Sequence, residues 1–196
     1  MVKKTSDKRI QRTRKVLQDA LIELILEKEF GKITVQDVIK RANVGRSTFY
    51  LHFKDTEDLF LSGFENLWSL FDKHLSLQTT PKASVWDLSL IVFQHAHTYG
   101  NIYRALVGRQ GEQLMSAHMY KYLSALMQDS LKEQWSQDKQ IPLAIVVHHL
   151  VSSLTSLLIW WVNHDLSFPP TKMNDIYKLL TQPAIEGLYK ETVTLR

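Results

Sequence analysis

The segment Asn43–Phe53 reads NVGRSTFYLHF and mixes three aromatic residues with hydrogen-bonding side chains. Phe49 and Phe53 are four residues apart and therefore fall on one face of a helix. The arginine, hydroxyl and imidazole side chains between and before them are left mostly on the other face. The pattern predicts a short helix that anchors on a small core and presents polar groups outward.

A second short helix is predicted immediately before this segment. Thr34 and Asp37 have the spacing of a capping box, which favours a helix that begins here and ends near Ala42. Asn43 tolerates the positive φ that a tight turn requires, and Val44 is predicted to fill the gap between the two helices. Two short helices joined in this way form a helix-turn-helix, whose second helix can lie in the major groove of DNA.

The charge distribution favours a nucleic-acid-binding role for this part of the chain. Residues 1–54 hold 13 Lys and Arg against 6 Asp and Glu, whereas residues 55–196 hold 11 against 14. A basic first quarter on a mildly acidic remainder is typical of a DNA-binding head, although a solvated basic terminus would give the same count. Cysteine is absent, which excludes disulfides and indicates a reducing, cytoplasmic location.

The rest of the chain is predicted to be helical almost throughout. Each of the five prolines lies near a plausible helix start or loop. Helices are expected over residues 7–28, 34–42, 46–52, 55–74, 83–97, 100–107, 110–137, 141–164 and 171–190, with the last broken at Pro183. The predicted fold class is all-α, with a DNA-binding domain over residues 1–54 and a helical regulatory domain over residues 55–196.

The segment 141–164 contains no charged residue and is long enough to cross a membrane. His148 and His149 lie near its middle and would be costly in hydrocarbon, so we expect no membrane contact. We expect instead a dimer interface, because two heads that read a palindrome require a two-fold dimer. The residues expected at this interface are Leu150, Ser152, Leu154, Ser156, Leu157 and Trp161. Alternatively, the two adjacent tryptophans close a ligand cavity.

The sequence TVQDVIKRANVGRSTFYLHFKDTEDL, residues 34–59, resembles the TetR family of bacterial transcriptional regulators. The matching positions are Thr34, Val35, Ile39, Ala42, Val44, Thr48, Tyr50, His52, Phe53 and Leu59. The sequence departs from the family at three positions, with Asn43 in place of glycine, Gly45 in place of serine and Thr56 in place of lysine. The resemblance implies a TetR-like fold, with an N-terminal three-helix helix-turn-helix head and a C-terminal helical ligand-binding and dimerisation domain.

The resemblance also implies DNA contacts along the second short helix and its flanks. The residues expected to contact DNA are Thr34, Gly45, Arg46, Ser47, Thr48, Tyr50, Leu51, His52 and Lys54. Arg46 can read a guanine edge with two hydrogen bonds, and Thr34 can offer its hydroxyl and its N–H to a phosphate. Tyr50 and His52 resemble family residues that contact phosphates. The alternatives are packing of these two rings within the head and local capping by the hydroxyls.

All five tryptophans lie after residue 54, which favours either an aromatic core or an apolar ligand pocket in the regulatory domain. The residues expected to line a pocket are Trp68, Phe71, Phe93, Tyr103, Met119 and Tyr122. The segment 157–180 more weakly resembles the TetR subgroup that includes regulators of dihydroxyacetone kinase. The alternative to a small apolar or aromatic effector is therefore a protein partner that controls the same head as an activator.

The sequence does not favour an enzyme. Histidine pairs at His95–His97 and His148–His149 lack an acidic residue at metal-ligand spacing on the same helix, so no metal is expected. No catalytic triad spacing, phosphate loop or paired-carboxylate motif is present. The sequence therefore predicts a transcriptional repressor that binds a palindromic double-stranded DNA operator as a homodimer, without a cofactor.

Overall fold

The structure is a computed structural model and describes residues 3–64, 69, 84–107, 110–133, 135 and 141–190. Its α-helices are α1 (Lys3–Glu27), α2 (Val35–Ala42), α3 (Arg46–Tyr50), α4 (Thr56–Ser62), α5 (Val85–Thr98), α6 (Gly100–Leu106), α7 (Gln110–Leu131), α8 (Leu143–Asn163) and α9 (Pro170–Lys190). A 3-10 turn, Phe30–Lys32, precedes α2. No strand occurs in these ranges, and the predicted all-α fold class is confirmed.

The chain folds into two compact units. The first unit contains α1 to α4 together with residues 101–115, and the second contains α5 together with the described residues from 116 onward.

An apolar core holds the first unit together. Helix α1 packs against α2 and α4, and α2 packs against α3. Each of the four helices contributes a side chain with no exposed surface; these are Leu17, Val38, Phe49 and Leu59. The rings of Phe30 and Phe60 lie 4.9 Å apart and close the core between the 3-10 turn and α4.

A charged cluster fastens α2 to α1 at the surface. The Arg41 guanidinium donates two hydrogen bonds to Glu27, at 2.9 and 2.6 Å, and a third to Glu23 at 3.1 Å. Hydrogen bonds from Arg41 lower the pKa of the Glu27 carboxyl. The bidentate geometry fixes orientation as well as distance, so α2 is held in register on α1.

The second unit is built around α5, which packs against α8 and α9. The Ser89 hydroxyl on α5 donates to Asn174 Oδ1 on α9 at 2.6 Å, and both side chains are buried. The Tyr177 hydroxyl donates to the backbone carbonyl of Leu150 at 2.8 Å, which connects α9 to α8. These buried hydrogen bonds fix how the three helices pack, because each would leave a costly unpaired group if broken.

Several helix boundaries differ from those predicted, since α1 begins at Lys3 rather than at residue 7 and α7 ends at Leu131 rather than at residue 137. Helix α4 ends at Ser62, where the serine hydroxyl donates to the Leu59 carbonyl at 2.6 Å and Gly63 follows in a turn. The remainder of the predicted range 55–74 lies largely outside the described residues. Pro183 does not break α9, which runs through it. Proline removes the hydrogen bond to the carbonyl four residues earlier, which belongs to Leu179, and both residues are exposed.

Helix α8 is long and apolar enough to cross a membrane by length and composition alone. The core helix of a soluble protein passes the same test, and one side of α8 is buried through Leu150, Leu154 and Leu158. Its other side leaves large apolar groups uncovered, with Ile145 57% and Trp160 44% exposed.

Candidate nucleic-acid interface

The predicted capping box is present at the start of α2. Asp37 accepts hydrogen bonds from the Thr34 N–H at 2.8 Å and from the Thr34 hydroxyl at 2.7 Å, and its own N–H donates to that hydroxyl oxygen. The Lys28 ammonium also lies 2.8 Å from Asp37. Hydrogen bonds from Lys28 and Thr34 hold the pKa of the Asp37 carboxyl well below its usual range. Both Thr34 hydrogens that were expected to reach a DNA phosphate are therefore directed to Asp37 within the chain, so a phosphate would compete with that carboxylate, and the contact stays a prediction.

The turn after α2 is a left-handed cap. Asn43 adopts φ 51° and ψ 48°, as the sequence predicted, and its N–H bonds to the carbonyls at the end of α2. The Val44 N–H donates to the Ile39 carbonyl at 3.0 Å. These bonds satisfy carbonyls that the helix end would otherwise leave without a donor, so the direction in which the chain enters α3 is fixed.

Helix α3 begins without a side-chain cap. Gly45 occupies the cap position with an ordinary extended backbone, φ −68° and ψ 149°. A Cβ built there would meet only the Thr48 hydroxyl, at 3.8 Å. The glycine is therefore not required by space or by backbone conformation, and a serine would fit.

Two phenylalanines anchor α3 in the first unit. Phe49 has no exposed surface, Phe53 is 3% exposed, and their rings lie 6.1 Å apart. The Arg14 guanidinium of α1 lies over the Phe53 ring, 4.7 Å from its centroid. The N–H groups of His52 and Phe53 both donate to the Phe49 carbonyl at 2.9 Å. The chain after Tyr50 therefore continues as a turn, and the predicted helix 46–52 is shorter by two residues.

The other side of α3 is open. Among the residues predicted to contact DNA, those with exposed side chains or backbone are Gly45, Arg46, Ser47, Tyr50, Leu51 and Lys54. Tyr50 is 49% exposed and Leu51 80% exposed. Thr48 and His52 are half-buried. The structure thus brings eight of the nine predicted residues together on α3 and its flanks, whereas Thr34 lies at the start of α2.

A contact within this surface escaped the sequence reasoning. The Arg46 guanidinium carbon lies 5.7 Å from the centroid of the Tyr50 ring. Tyr50 in turn meets the buried Phe49 edge-on, with ring centroids 5.4 Å apart. The sequence signal for this contact is the four-residue spacing of the arginine and the tyrosine on one helix, because side chains at that spacing are neighbours.

The structure describes four of the six residues predicted to line a pocket, and those four are divided between the two units. Trp68 and Phe71 lie outside the described residues. Phe93 and Met119 are fully buried in the second unit, where Tyr122 is half-buried. Tyr103 is buried in the first unit, and burial raises the pKa of its hydroxyl above the usual range.

The residues predicted at the dimer interface divide into two groups. Leu150, Leu154 and Trp161 have no exposed surface in the single chain. They therefore pack within the single chain and have no exposed surface that a second copy could contact. Ser152 and Leu157 are half-buried and Ser156 is exposed. Ser156 and Leu157 help to line a concavity of about 460 Å³ between α8 and α9.

Three of the four paired histidines have structural partners. His95 is buried beside Tyr99, with ring centroids 4.5 Å apart, and His97 stacks on Trp161. His148 Nδ1 lies 2.8 Å from the Tyr120 hydroxyl. No group of three or more His, Cys, Asp or Glu that could hold a metal ion occurs among the residues that the structure describes.

The chain matches the models of two protein families. Residues 17–62 match the family described as bacterial regulatory proteins, tetR family. Residues 86–182 match the family described as transcriptional regulator C-terminal region. The first match contains the whole α2–turn–α3 element, and the second extends from α5 into α9.

Individual proteins agree with these matches. The uncharacterized HTH-type transcriptional regulator YxbF of Bacillus subtilis (strain 168) is 23% identical over 171 residues, 85% of this chain and 44% of that protein. The fatty acid metabolism regulator protein of the same strain is 31% identical over 78 residues, 39% of this chain and 40% of that protein. The chain thus spans less than half the length of these curated relatives.

The crystal structure of a TetR transcriptional regulator from Streptococcus agalactiae 2603V superposes with a TM-score of 0.64 at 27% identity, covering 90% of this chain and 97% of that one. The chain belongs to the TetR family of bacterial transcriptional regulators.

Proposed function

We propose that this chain is a cytoplasmic, sequence-specific repressor that binds a palindromic DNA operator as a homodimer. The observation that carries the proposal is the two-sided structure of α3. Its buried Phe49 fixes the helix on the first unit, while Arg46 and Ser47 on the helix and Leu51 directly after it are exposed. A second helix held in this way, with free side chains near its N-terminus, suits the major groove.

The exposed residues divide by chemistry into base readers and phosphate contacts. Arg46 can donate two hydrogen bonds to a guanine, and Leu51 can meet the methyl group of a thymine. Tyr50, His52 and Lys54 can bind phosphates, which fixes register without reading sequence. Lys8, Arg9 and Arg12 are exposed near the start of α1. They would add affinity that falls with salt concentration.

An uncovered apolar surface on α8, α9 and the loop between them supports the homodimer. Its members are Ile145, Trp160, Phe168, Leu179 and Leu180, which are 57%, 44%, 39%, 75% and 67% exposed. Monomeric soluble proteins rarely leave large contiguous apolar patches in water. Ser152 and Ser156 lie on α8 one turn apart and would allow a second helix to approach closely. A two-fold dimer through this surface supplies the paired heads that a palindrome requires.

We further propose that the effector is a small apolar or aromatic molecule. Met119, Met127 and Met173 are fully buried in the second unit, and methionine side chains repack readily around different apolar shapes. One relative is named a fatty acid metabolism regulator, which makes long-chain acyl compounds a reasonable first probe. Stearate and, separately, naphthalene would be titrated into the protein–DNA complex. Release of DNA by either supports the proposal, whereas binding of neither leaves only the DNA-binding part of it standing.

The DNA-binding proposal is tested by selection from a randomised duplex library, followed by sequencing. Arg46→Ala should relax the preference at one position of each half-site, at a cost of about 1–3 kcal/mol for the preferred base. Lys8→Ala should weaken binding to all sequences alike and reduce the salt dependence of the affinity. Identical selection profiles for the two variants would show that Arg46 does not read a base.

A further inference from the structure

The contact between Arg46 and Tyr50 has the geometry of a cation–π pair. The guanidinium carbon lies 5.7 Å from the ring centroid, within the distance of about 6 Å at which such pairs attract. A guanidinium that lies over a ring uses its flat face and leaves its N–H groups free at the edge. The stacked arginine can therefore still donate two hydrogen bonds to a base.

The Tyr50 ring is itself held by the core of the first unit. It meets Phe49 edge-on, at 85° and 5.4 Å between centroids. Phe49 has no exposed surface, whereas Tyr50 is 49% exposed. One part of the tyrosine ring is therefore fixed against the core while another faces outward. A continuous set of contacts runs from the buried phenylalanine through the tyrosine to the arginine.

We propose that the Tyr50 ring positions Arg46 for base reading and is therefore a determinant of sequence specificity. An arginine free in water populates many rotamers, and binding a base must select one of them. A side chain already held near its working position loses less freedom on binding. This inference rests on the proposed DNA-binding function and assigns a task to the ring that is separate from any phosphate contact of the hydroxyl.

Two substitutions at this position separate the ring from the hydroxyl. Tyr50→Phe keeps the ring and removes the hydroxyl, so it should lower affinity for all sequences and leave the preference at the Arg46 position intact. Tyr50→Leu removes the ring, so the preference at that one position should fall about two- to fivefold, the range of an exposed cation–π pair. Preferences at the other positions should not change.

The experiment compares two duplexes that differ only at the base pair identified with Arg46→Ala. Fluorescence anisotropy gives the ratio of their dissociation constants for the wild type, Tyr50→Phe, Tyr50→Leu, Arg46→Ala and the double variant of Arg46→Ala with Tyr50→Leu. In the Arg46→Ala background, loss of the ring should not change the ratio further. Tyr50→Trp keeps an aromatic face and should retain the wild-type ratio, which provides a second measurement should the leucine variant fail to fold.

The outcomes distinguish this inference from the proposed function. A wild-type ratio in Tyr50→Leu, or a lost ratio in Tyr50→Trp with wild-type helicity, overturns the positioning role while base reading by Arg46 stands. If the wild type and Arg46→Ala show the same base preference at every position, base reading by Arg46 is overturned and the positioning role falls with it.

Discussion

Asn43 shows at the scale of a single residue how the turn of the helix-turn-helix is held. It adopts a left-handed backbone with φ 51°, in a position where the family has glycine. An alanine in this conformation costs about 1–2 kcal/mol because its Cβ approaches the following carbonyl, whereas asparagine is strained less and glycine not at all. The sequence solves the turn with the most tolerant residue after glycine.

The expected consequence is a difference between two substitutions at this position. Asn43→Ala should lower the opening free energy of the amides in α2 and α3 by about 1 kcal/mol, and Asn43→Gly should not lower it. Hydrogen exchange of the full chain measures both, with α9 amides as an internal control. Equal exchange in the two variants would mean that the left-handed backbone is not maintained in solution.

His95 carries a pH dependence of stability. Burial on α5 lowers its pKa from 6.5 to about 4, so the unfolded chain takes up a proton first as the pH falls. The free energy of unfolding is therefore highest above pH 7 and falls between about pH 6.5 and 4, with about 2 kcal/mol lost by pH 5.

Urea unfolding at pH 7 and 5 should show this loss in the wild type and a smaller loss in His95→Gln. His149→Gln, at an exposed position of α8, should behave as the wild type. Equal losses in His95→Gln and the wild type would contradict the assignment.

At the scale of elements, α8 divides its two sides between a core and a proposed interface. Leu154 is fully buried while Ile145 is 57% exposed. Ser156→Glu would place a charge without a partner in the proposed interface, which is strongly unfavourable. The variant should remain helical by circular dichroism, sediment as a monomer and bind the palindrome more weakly. Gln128→Glu, on an exposed position of α7, should stay dimeric. A dimeric Ser156→Glu would place the interface on another surface.

Local signals predicted the elements better than their ends. The cap at Thr34 and the turn at Asn43 follow from side chains within four residues, and both were predicted correctly. The Ser62 hydroxyl at the end of α4 also accepts a hydrogen bond from Gln18 of α1 at 2.9 Å, and such a pairing is not visible in the sequence. Pro183 lies inside α9 at an exposed position, and the sequence alone did not show that the helix continues through it.

The same limit applied to the candidate site. The residue types along α3 predicted which side would be polar, since Phe49 and Phe53 fixed the buried side. They did not predict which donors would already be occupied. The N–H and the hydroxyl of Thr34 both donate hydrogen bonds to Asp37. Several partners compete for each polar group, and only the folded arrangement decides among them.

At the scale of the whole molecule, the proposal requires two copies of α3 on one face of a DNA duplex. Half-sites read by a two-fold dimer are centred about 34–36 Å apart, one turn of the double helix. The absence of cysteine from all 196 residues allows a single reactive position to be introduced without removing a native one. Ser47 is exposed on α3 and is suited to carry a DNA-cleaving group.

The most direct measurement is DNA cleavage by an iron chelate attached to Ser47→Cys on the selected operator. We expect two clusters of cuts in the major groove, centred one helical turn apart. We expect no such clusters when the chelate is mixed with the cysteine-free wild type, to which it cannot be attached. A single cluster would contradict binding by a two-fold dimer. Absence of cuts from a variant that still binds the operator would contradict the central claim, that α3 lies in the major groove.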